Sequence, residues 1–177
     1  MTDAPTLGNR LARVRVPLGF VFAAFALWLA RPTAATLVRG AAVATAGEAL
    51  RIWAAGHLCK SREITSSGPY RWFAHPLYIG SSIMGIGLAI AANSAVVGVL
   101  VALYLVVTLT AAVKSEEAFL RGAFGGEYDR YRRGTAKGTA RRFSWAQARA
   151  NREQRSILGL VLAVLLLFLK ATYEGNV

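Results

Sequence analysis

The sequence predicts an all-α, polytopic membrane protein with about five transmembrane helices in a single domain, residues 1–177. Hydrophobic residues make up 55% of the 177 positions and charged residues 17%, whereas a soluble domain carries about 25% charged residues. The apolar residues form long runs, and most charged residues lie in the gaps between these runs. This pattern indicates burial in lipid rather than in the core of a water-soluble domain.

The predicted spans are five apolar runs. The first run follows three arginines and resembles a signal peptide, but we expect it to be retained as a helix with Pro17 in its first turn. The second run contains Glu48 and Arg51, which lie on one helix face. The two residues either form a salt bridge near the interface or face a cavity as functional groups. The runs cover residues 16–30, 33–58, 76–92, 95–113 and 156–170.

The stretch 72–113 contains no charged residue and is too long for one span. It breaks at Asn93-Ser94, and at 1.5 Å per residue each half approaches the thickness of a bilayer. So short a turn predicts that the third and fourth helices form a tight antiparallel hairpin. The polar segments 59–75 and 114–155 then lie on the same side of the membrane. Within the second segment we expect a break at residues 124–126 and a cap for the final helix at Ser144.

The distribution of lysine and arginine predicts the orientation. Three of these residues precede the first span, three lie in segment 59–75 and eleven lie in segment 114–155, against Arg31 and Lys170 on the other side. Because cytoplasmic loops carry the excess of basic residues, we expect a cytoplasmic amino terminus, an external carboxy terminus and an active site that faces the cytoplasm. The net charge of +12 therefore indicates contact with membrane lipids and not with nucleic acid.

The sequence indicates no metal site. Cys59 is the single cysteine, so it forms no intrachain disulfide. His57 lies two residues before it, but a zinc site needs three or four ligands.

The residues suited to chemistry flank the predicted hairpin. If the hairpin returns to its own side, the tyrosines and histidine before it meet the acidic residues after it. The order and spacing of these motifs resemble the isoprenylcysteine carboxyl methyltransferase and phospholipid methyltransferase superfamily of integral membrane methyltransferases. The motifs are Gly-Pro-Tyr at 68–70, His-Pro-Leu-Tyr-Ile-Gly at 75–80, Gly-Ile-Gly at 85–87, Glu-Glu at 116–117, Phe-Gly-Gly-Glu-Tyr at 124–128, and Tyr131.

The resemblance covers roughly residues 50–131 and departs from the family in one place. The arginine that usually precedes His-Pro is Ala74 here. Arg71 lies one helical turn earlier and is a candidate to replace it.

The resemblance implies that S-adenosylmethionine is the methyl donor. For some of the implied residues a structural role is an open alternative. The Glu116-Glu117 pair could simply end a helix at the interface, Gly85 and Gly87 could pack helices, and the tyrosines could belong to the aromatic belt. The implied cofactor-binding residues are Tyr70, His75, Pro76, Tyr78, Gly85, Gly87, Glu116, Glu117 and Tyr128.

The methyl acceptor is expected to be a lipid-like or prenylated small molecule or peptide. If the acceptor atom belongs to a carboxylate, a cation must hold it, and Arg51 and Arg152 are the candidates, although Arg152 could instead contact lipid headgroups. If it is an amine, a proton must leave, and Glu153 or Glu116 could accept it. The excess of arginine favours carboxyl O-methylation of the isoprenylcysteine type, with phospholipid or amine N-methylation as the alternative.

Two other functions remain open. A sterol-reductase-like enzyme that uses NADPH would share a similar helical core, but the Glu116-Glu117 pair argues against it. A non-catalytic scaffold or transport component would not need Tyr, His and Glu residues at one membrane face, and a transporter would need a polar path through its spans.

Overall fold

The computed structural model describes residues 19–60, 63–135 and 141–176, and this part of the chain contains helices and no strand. The predicted all-α class is confirmed. A 3₁₀ turn at Gly68–Arg71 lies between the second and third helices. The helices are α1 (Gly19–Leu29), α2 (Ala34–His57), α3 (Pro76–Ala92), α4 (Ala95–Phe124), α5 (Gly126–Arg132), α6 (Trp145–Ala150) and α7 (Gln154–Tyr173).

Two of these helices are long and apolar enough to cross a membrane, whereas the sequence predicted five such spans. They are α4, with 30 residues, and α7, with 20 residues. Helices α1 and α3 are apolar but shorter, and residues 16–18 of the predicted first span lie outside the described part. Helix α2 has 24 residues, but Arg39, Glu48 and Arg51 make it more polar than an ordinary span.

Helices α2 and α3 pack against each other more closely than any other pair of helices. A Cβ atom added to Gly47 would lie 2.5 Å from the backbone nitrogen of Met84 and 2.6 Å from the carbonyl oxygen of Gly80. Gly40 contacts Gly87 in the same way, so the two helices run antiparallel. Small residues let membrane helices approach to backbone contact. The main partner of α3 is therefore α2, and the predicted tight hairpin of the third and fourth helices is not confirmed.

A small apolar core joins α2, α3, α4 and α7 at one end of the molecule, close to the end of α1. Lys170 of α7 fixes α1 there, because its ammonium group donates hydrogen bonds to the carbonyl oxygens of Leu27 at 2.8 Å and Trp28 at 2.7 Å. The core consists of Ala30, Leu37, Ala91, Ala92, Val97, Leu167 and Ala171.

The connection from α3 to α4 is as short as predicted, but α4 is longer. Asn93 ends α3 in the left-handed conformation, with φ of 48°, and the Ser94 side chain caps α4. Helix α4 continues beyond residue 113 to Phe124, where Gly125 with φ of +51° ends it. A salt bridge between Glu117 and Arg121, four residues apart at 3.4 Å, supports this extension. The extension holds Glu116 and Glu117 on a continuous helix.

Ser144 caps the short helix α6, and not the final helix as predicted. The segment around α6 covers the end of α2, because Gln147 donates to the carbonyl oxygen of Leu58 at 2.8 Å and Asn151 donates to that of Ala55 at 2.8 Å. The last carbonyl groups of a helix have no hydrogen-bond donor within the helix, and these two side chains supply one. The contact brings the turn before α7 next to α2.

Candidate functional site

A cavity of about 950 Å³ lies beside the polar motifs. Ligand sites in proteins usually measure roughly 300–1,000 Å³, so this cavity is large enough for a cofactor-sized molecule. Seven of the twelve predicted site residues line it. They are Arg51, Tyr70, His75, Tyr78, Glu116, Tyr128 and Glu153.

His75 links the start of α3 to the extended end of α4. It occupies the N-cap position of α3, directly before Pro76, which fits the first turn because proline needs no helical hydrogen bond there. The Nδ1 atom of His75 lies 3.5 Å from Glu116 Oε2, and its Nε2 atom lies 3.4 Å from Glu117 Oε1. The imidazole therefore bridges both carboxylates of the Glu116-Glu117 pair.

The two carboxylates have different surroundings. Glu116 lines the cavity, and the Tyr78 side chain is its second hydrogen-bond partner. Glu117 does not line the cavity and lies 3.4 Å from Arg121 and 3.5 Å from Arg132. Glu116 is thus placed to contact a ligand, whereas Glu117 holds His75 and the arginines of α4 and α5 together.

The contacts of His75 and Glu116 favour their charged forms. Hydrogen bonding to Glu116 raises the pKa of His75 above its usual value; burial acts in the opposite direction, and Glu117 adds to the increase. Burial alone would raise the pKa of Glu116, but hydrogen bonds from His75 and Tyr78 outweigh burial and the pKa lies below its usual value. The cavity wall therefore carries an ionised carboxylate, a suitable acceptor for an ammonium or hydroxyl group.

One tyrosine of α5 attaches this helix to the 3₁₀ turn. The Tyr131 hydroxyl donates to the carbonyl oxygen of Tyr70 at 2.9 Å, and burial raises the pKa of Tyr131 to about 12. Tyr128 is only 1% exposed, and its hydroxyl has no hydrogen-bond partner among the described residues. Leaving a buried hydroxyl unpaired costs free energy. The Tyr128 hydroxyl can hydrogen-bond to a polar atom of a ligand in the cavity.

A second polar cluster surrounds Arg51. Its Nε atom lies 2.8 Å from Glu153 and 3.5 Å from Glu48, and Ser81 and Ser156 are its further hydrogen-bond partners. Both carboxylate residues are nearly buried, with Glu48 5% exposed and Glu153 6% exposed. The predicted pair of Glu48 and Arg51 is present, but the guanidinium group is already engaged. Of these charged groups, Arg51 and Glu153 line the cavity and Glu48 does not, so this part of the cavity wall carries an ion pair.

Five predicted site residues do not line the cavity. Gly87 packs against α2, a Cβ on Gly85 would lie 2.7 Å from Leu105 of α4, and Pro76 is buried in the first turn of α3. These positions favour the packing role that was open for the two glycines. Arg152 adopts a left-handed conformation with φ of 62° in the turn before α7. Glu117 is the fifth.

Other residues of the cavity wall were not predicted to be functional. Ala74 lines the cavity, but Arg71, expected to replace the missing arginine, is exposed and does not. Tyr131 belongs to a predicted motif but not to the predicted site residues, although its position three residues after Tyr128 indicates the same helix face. Tyr104 and Thr108 of α4 also line the cavity. Their apolar surroundings in the sequence gave no signal.

Comparison with known proteins gives one family match and two similar curated proteins. The family model for "Phospholipid methyltransferase" matches residues 15–127. The chain is 30% identical over 110 residues to the nickel-cobalt-cadmium resistance protein NccN of Alcaligenes xylosoxydans xylosoxydans, covering 61% of this chain and 50% of that protein. It is 33% identical over 98 residues to the cobalt-zinc-cadmium resistance protein CzcN of Cupriavidus metallidurans, covering 54% and 44%. The chain thus spans about half the length of these relatives or less. No solved structure matches it.

Proposed function

Because the chain belongs to the phospholipid methyltransferase family, we propose that it is a membrane enzyme that transfers the methyl group of S-adenosylmethionine to a lipid-like acceptor. The observation that carries this proposal is the cavity, whose wall joins the polar groups around Glu116 to the apolar surface of α4. A polar methyl donor and an amphiphilic acceptor need a cavity that has both a polar and an apolar part.

The residues present are suited to S-adenosylmethionine. Glu116 is an ionised acceptor for its ammonium or ribose hydroxyl groups, and His75 is a candidate for its carboxylate or adenine. The buried Tyr128 hydroxyl, which lacks a partner in the described part of the chain, offers a further hydrogen bond. When bound, the cofactor supplies a sulfonium methyl group that is already activated. The protein then has to align the acceptor and exclude water.

We also propose that the helices form a polytopic membrane protein with a cytoplasmic amino terminus, an external carboxy terminus and a cavity that faces the cytoplasm. The two long apolar helices, α4 and α7, support insertion. The basic residues concentrated in segments 59–75 and 114–155 support the orientation. Helices α1, α2 and α3 would complete the five spans, with the charged residues of α2 turned towards protein.

The surroundings of Arg51 favour an amine over a carboxylate as the methyl acceptor. A substrate carboxylate would have to displace Glu153 from Arg51, and it would be repelled by Glu48 as well. An amine needs no free cation to hold it, and the cavity wall offers it the carboxylates of Glu116 and Glu153. Glu153 lines the cavity and is placed to accept the proton that an amine releases. Carboxyl O-methylation of the isoprenylcysteine type, favoured by the sequence, remains the second candidate because Arg51 is a cation on the cavity wall.

A methyl-transfer assay in vesicles tests the proposal. The purified protein is incubated with S-adenosylmethionine carrying a labelled methyl group and vesicles that contain either an amine lipid or a carboxylate amphiphile. We expect base-stable label in the amine lipid, and Glu153→Gln should lower this transfer more than Glu127→Gln, which changes an exposed carboxylate. Base-labile label in the carboxylate amphiphile would instead identify a methyl ester. If protein that binds the cofactor labels neither lipid, the proposal is wrong.

A further inference from the structure

The cavity has a polar end and an apolar end. Glu116, His75 and Tyr78 lie together at the polar end, where the methyl donor is proposed to bind. From Glu116 the cavity follows one side of α4 towards the start of that helix. The residues of α4 that line this part are Tyr104, Val107, Thr108, Leu109, Ala111, Ala112 and Ser115.

The apolar part is a groove with small side chains in its middle. Thr108, Ala111, Ala112 and Ser115 occupy less space than the valines and leucines on the rest of α4. Glu116 and Tyr104 are separated by three turns of helix, and at 1.5 Å per residue this corresponds to about 18 Å. Such a groove fits the extended hydrocarbon tail of an amphiphile whose polar head lies near Glu116.

Tyr104 lies at the far end of the groove and forms an aromatic pair with Phe22, which does not itself line the cavity. The ring of Tyr104 stacks on Phe22 of α1, with 4.9 Å between ring centroids and 19° between the planes. Among the residues of α4 that line the cavity, Tyr104 is the one nearest the start of the helix. Helix α1 is in turn held to α7 by the hydrogen bonds of Lys170 to Leu27 and Trp28. These hydrogen bonds hold α1, and with it Phe22, beside Tyr104.

We propose that the groove along α4 holds the hydrocarbon tail of the methyl acceptor, and that the Phe22–Tyr104 pair ends the groove and selects tails by length. This inference rests on the proposed function, since it concerns the acceptor of that reaction. A hydrocarbon tail that ends before the aromatic pair fits within the groove. A longer tail has to separate the two rings or leave the groove, and it loses the contribution of the aromatic pair.

The test compares acceptors that share one head group and differ in tail length, all at equal mole fraction in vesicles. For the wild type we expect kcat/KM to fall about two- to tenfold once the tail is longer than the groove, because the interaction of one aromatic pair contributes an effect of this size. Tyr104→Ala should remove this fall, and Tyr104→Phe should retain it. Leu103→Ala is the matched control, because Leu103 is 59% exposed and does not line the cavity.

A second measurement does not depend on turnover. An acceptor analogue with a photoreactive group at the end of a groove-length tail should label Phe22 or Tyr104, and a shorter analogue should label residues 108–112. Label spread evenly over the exposed residues of α4, or the same length profile for wild type and Tyr104→Ala, would show that the pair only packs α1 against α4. If methyl transfer is absent but the labels follow tail length, the groove assignment stands and the proposed reaction is wrong.

Discussion

Glu116 and Glu117 are neighbours in sequence, but their surroundings differ because adjacent helix residues point about 100° apart. Glu116 faces the cavity, and Glu117 faces His75, Arg121 and Arg132. Helical periodicity could predict that only one carboxylate of the pair faces a cavity. It could not predict which one, because this depends on how α4 is rotated relative to α3 and α5.

The link between His75 and Glu116 should make stability depend on pH. The raised pKa of His75 contributes stability that is complete below its unfolded value of 6.5 and is lost as the pH rises through the folded value. The lowered pKa of Glu116 contributes stability that is present above its unfolded value of 4.5 and is lost as the pH falls through the folded value. The difference in melting temperature between wild type and His75→Gln should therefore be largest between pH 4.5 and 6.5. A difference that grows steadily above pH 6.5 would contradict this link.

The two tyrosines of α5 should respond in opposite ways to removal of the hydroxyl. Tyr128→Phe removes a buried hydroxyl without a partner in the described residues, a situation that costs about 1–3 kcal/mol, so it should raise the free energy of unfolding of the cofactor-free protein. Tyr131→Phe removes the hydrogen bond to Tyr70 and should lower it by about 1 kcal/mol. Thermal unfolding in detergent measures both changes. Equal destabilisation by the two substitutions would show that the Tyr128 hydroxyl has a partner.

At the scale of elements, the α2–α3 pair depends on glycine. The sequence offered Gly85 and Gly87 either as cofactor contacts or as packing residues, and the contact of Gly87 with α2 favours packing. The matching glycines of α2, Gly40 and Gly47, could not be paired with α3 from sequence. Their seven-residue spacing shows that they share a helix face, but it does not show which helix that face meets.

A substitution at Gly47 tests this packing. Gly47→Ala places a Cβ atom 2.5–2.6 Å from the backbone of α3, so the helices must move apart, at a cost of about 1–3 kcal/mol. Gly159→Ala in α7 is the control, since a Cβ there meets nothing within 4 Å, and alanine suits a helix better than glycine. We expect a lower melting temperature for the first variant and an unchanged or higher one for the second. If Gly47→Ala is as stable as the wild type, the close approach of α2 and α3 is wrong.

At the scale of the whole molecule, the sequence predicted the all-helical class because apolar runs and their breaks are local features. The contact of the turn before α7 with α2 is not local. Asn151 reaches the carbonyl oxygen of Ala55, and Glu153 reaches Arg51, across about a hundred positions of sequence. Such contacts depend on the arrangement of all the helices, and no pattern within one segment indicates them.

The proposed orientation can be tested by labelling single cysteines in a Cys59→Ser background. Asn176 and Thr135 are both exposed, and the proposal puts them on opposite sides of the membrane. In intact cells a membrane-impermeant maleimide should label Asn176→Cys, and it should label Thr135→Cys only after lysis. Labelling of both positions in intact cells, or of Thr135→Cys alone, would contradict the orientation.

The most direct test of the central claim is calorimetric titration of S-adenosylmethionine and S-adenosylhomocysteine into the purified protein, with NADPH as the comparison. The wild type should bind both adenosyl compounds and not NADPH. Glu116→Gln should weaken binding about ten- to a hundredfold, the worth of a hydrogen bond to a charged group, while Glu127→Gln should leave it unchanged. Binding of NADPH in preference to S-adenosylmethionine, or no binding of either adenosyl compound by folded protein, would contradict the assignment as a methyltransferase that uses S-adenosylmethionine.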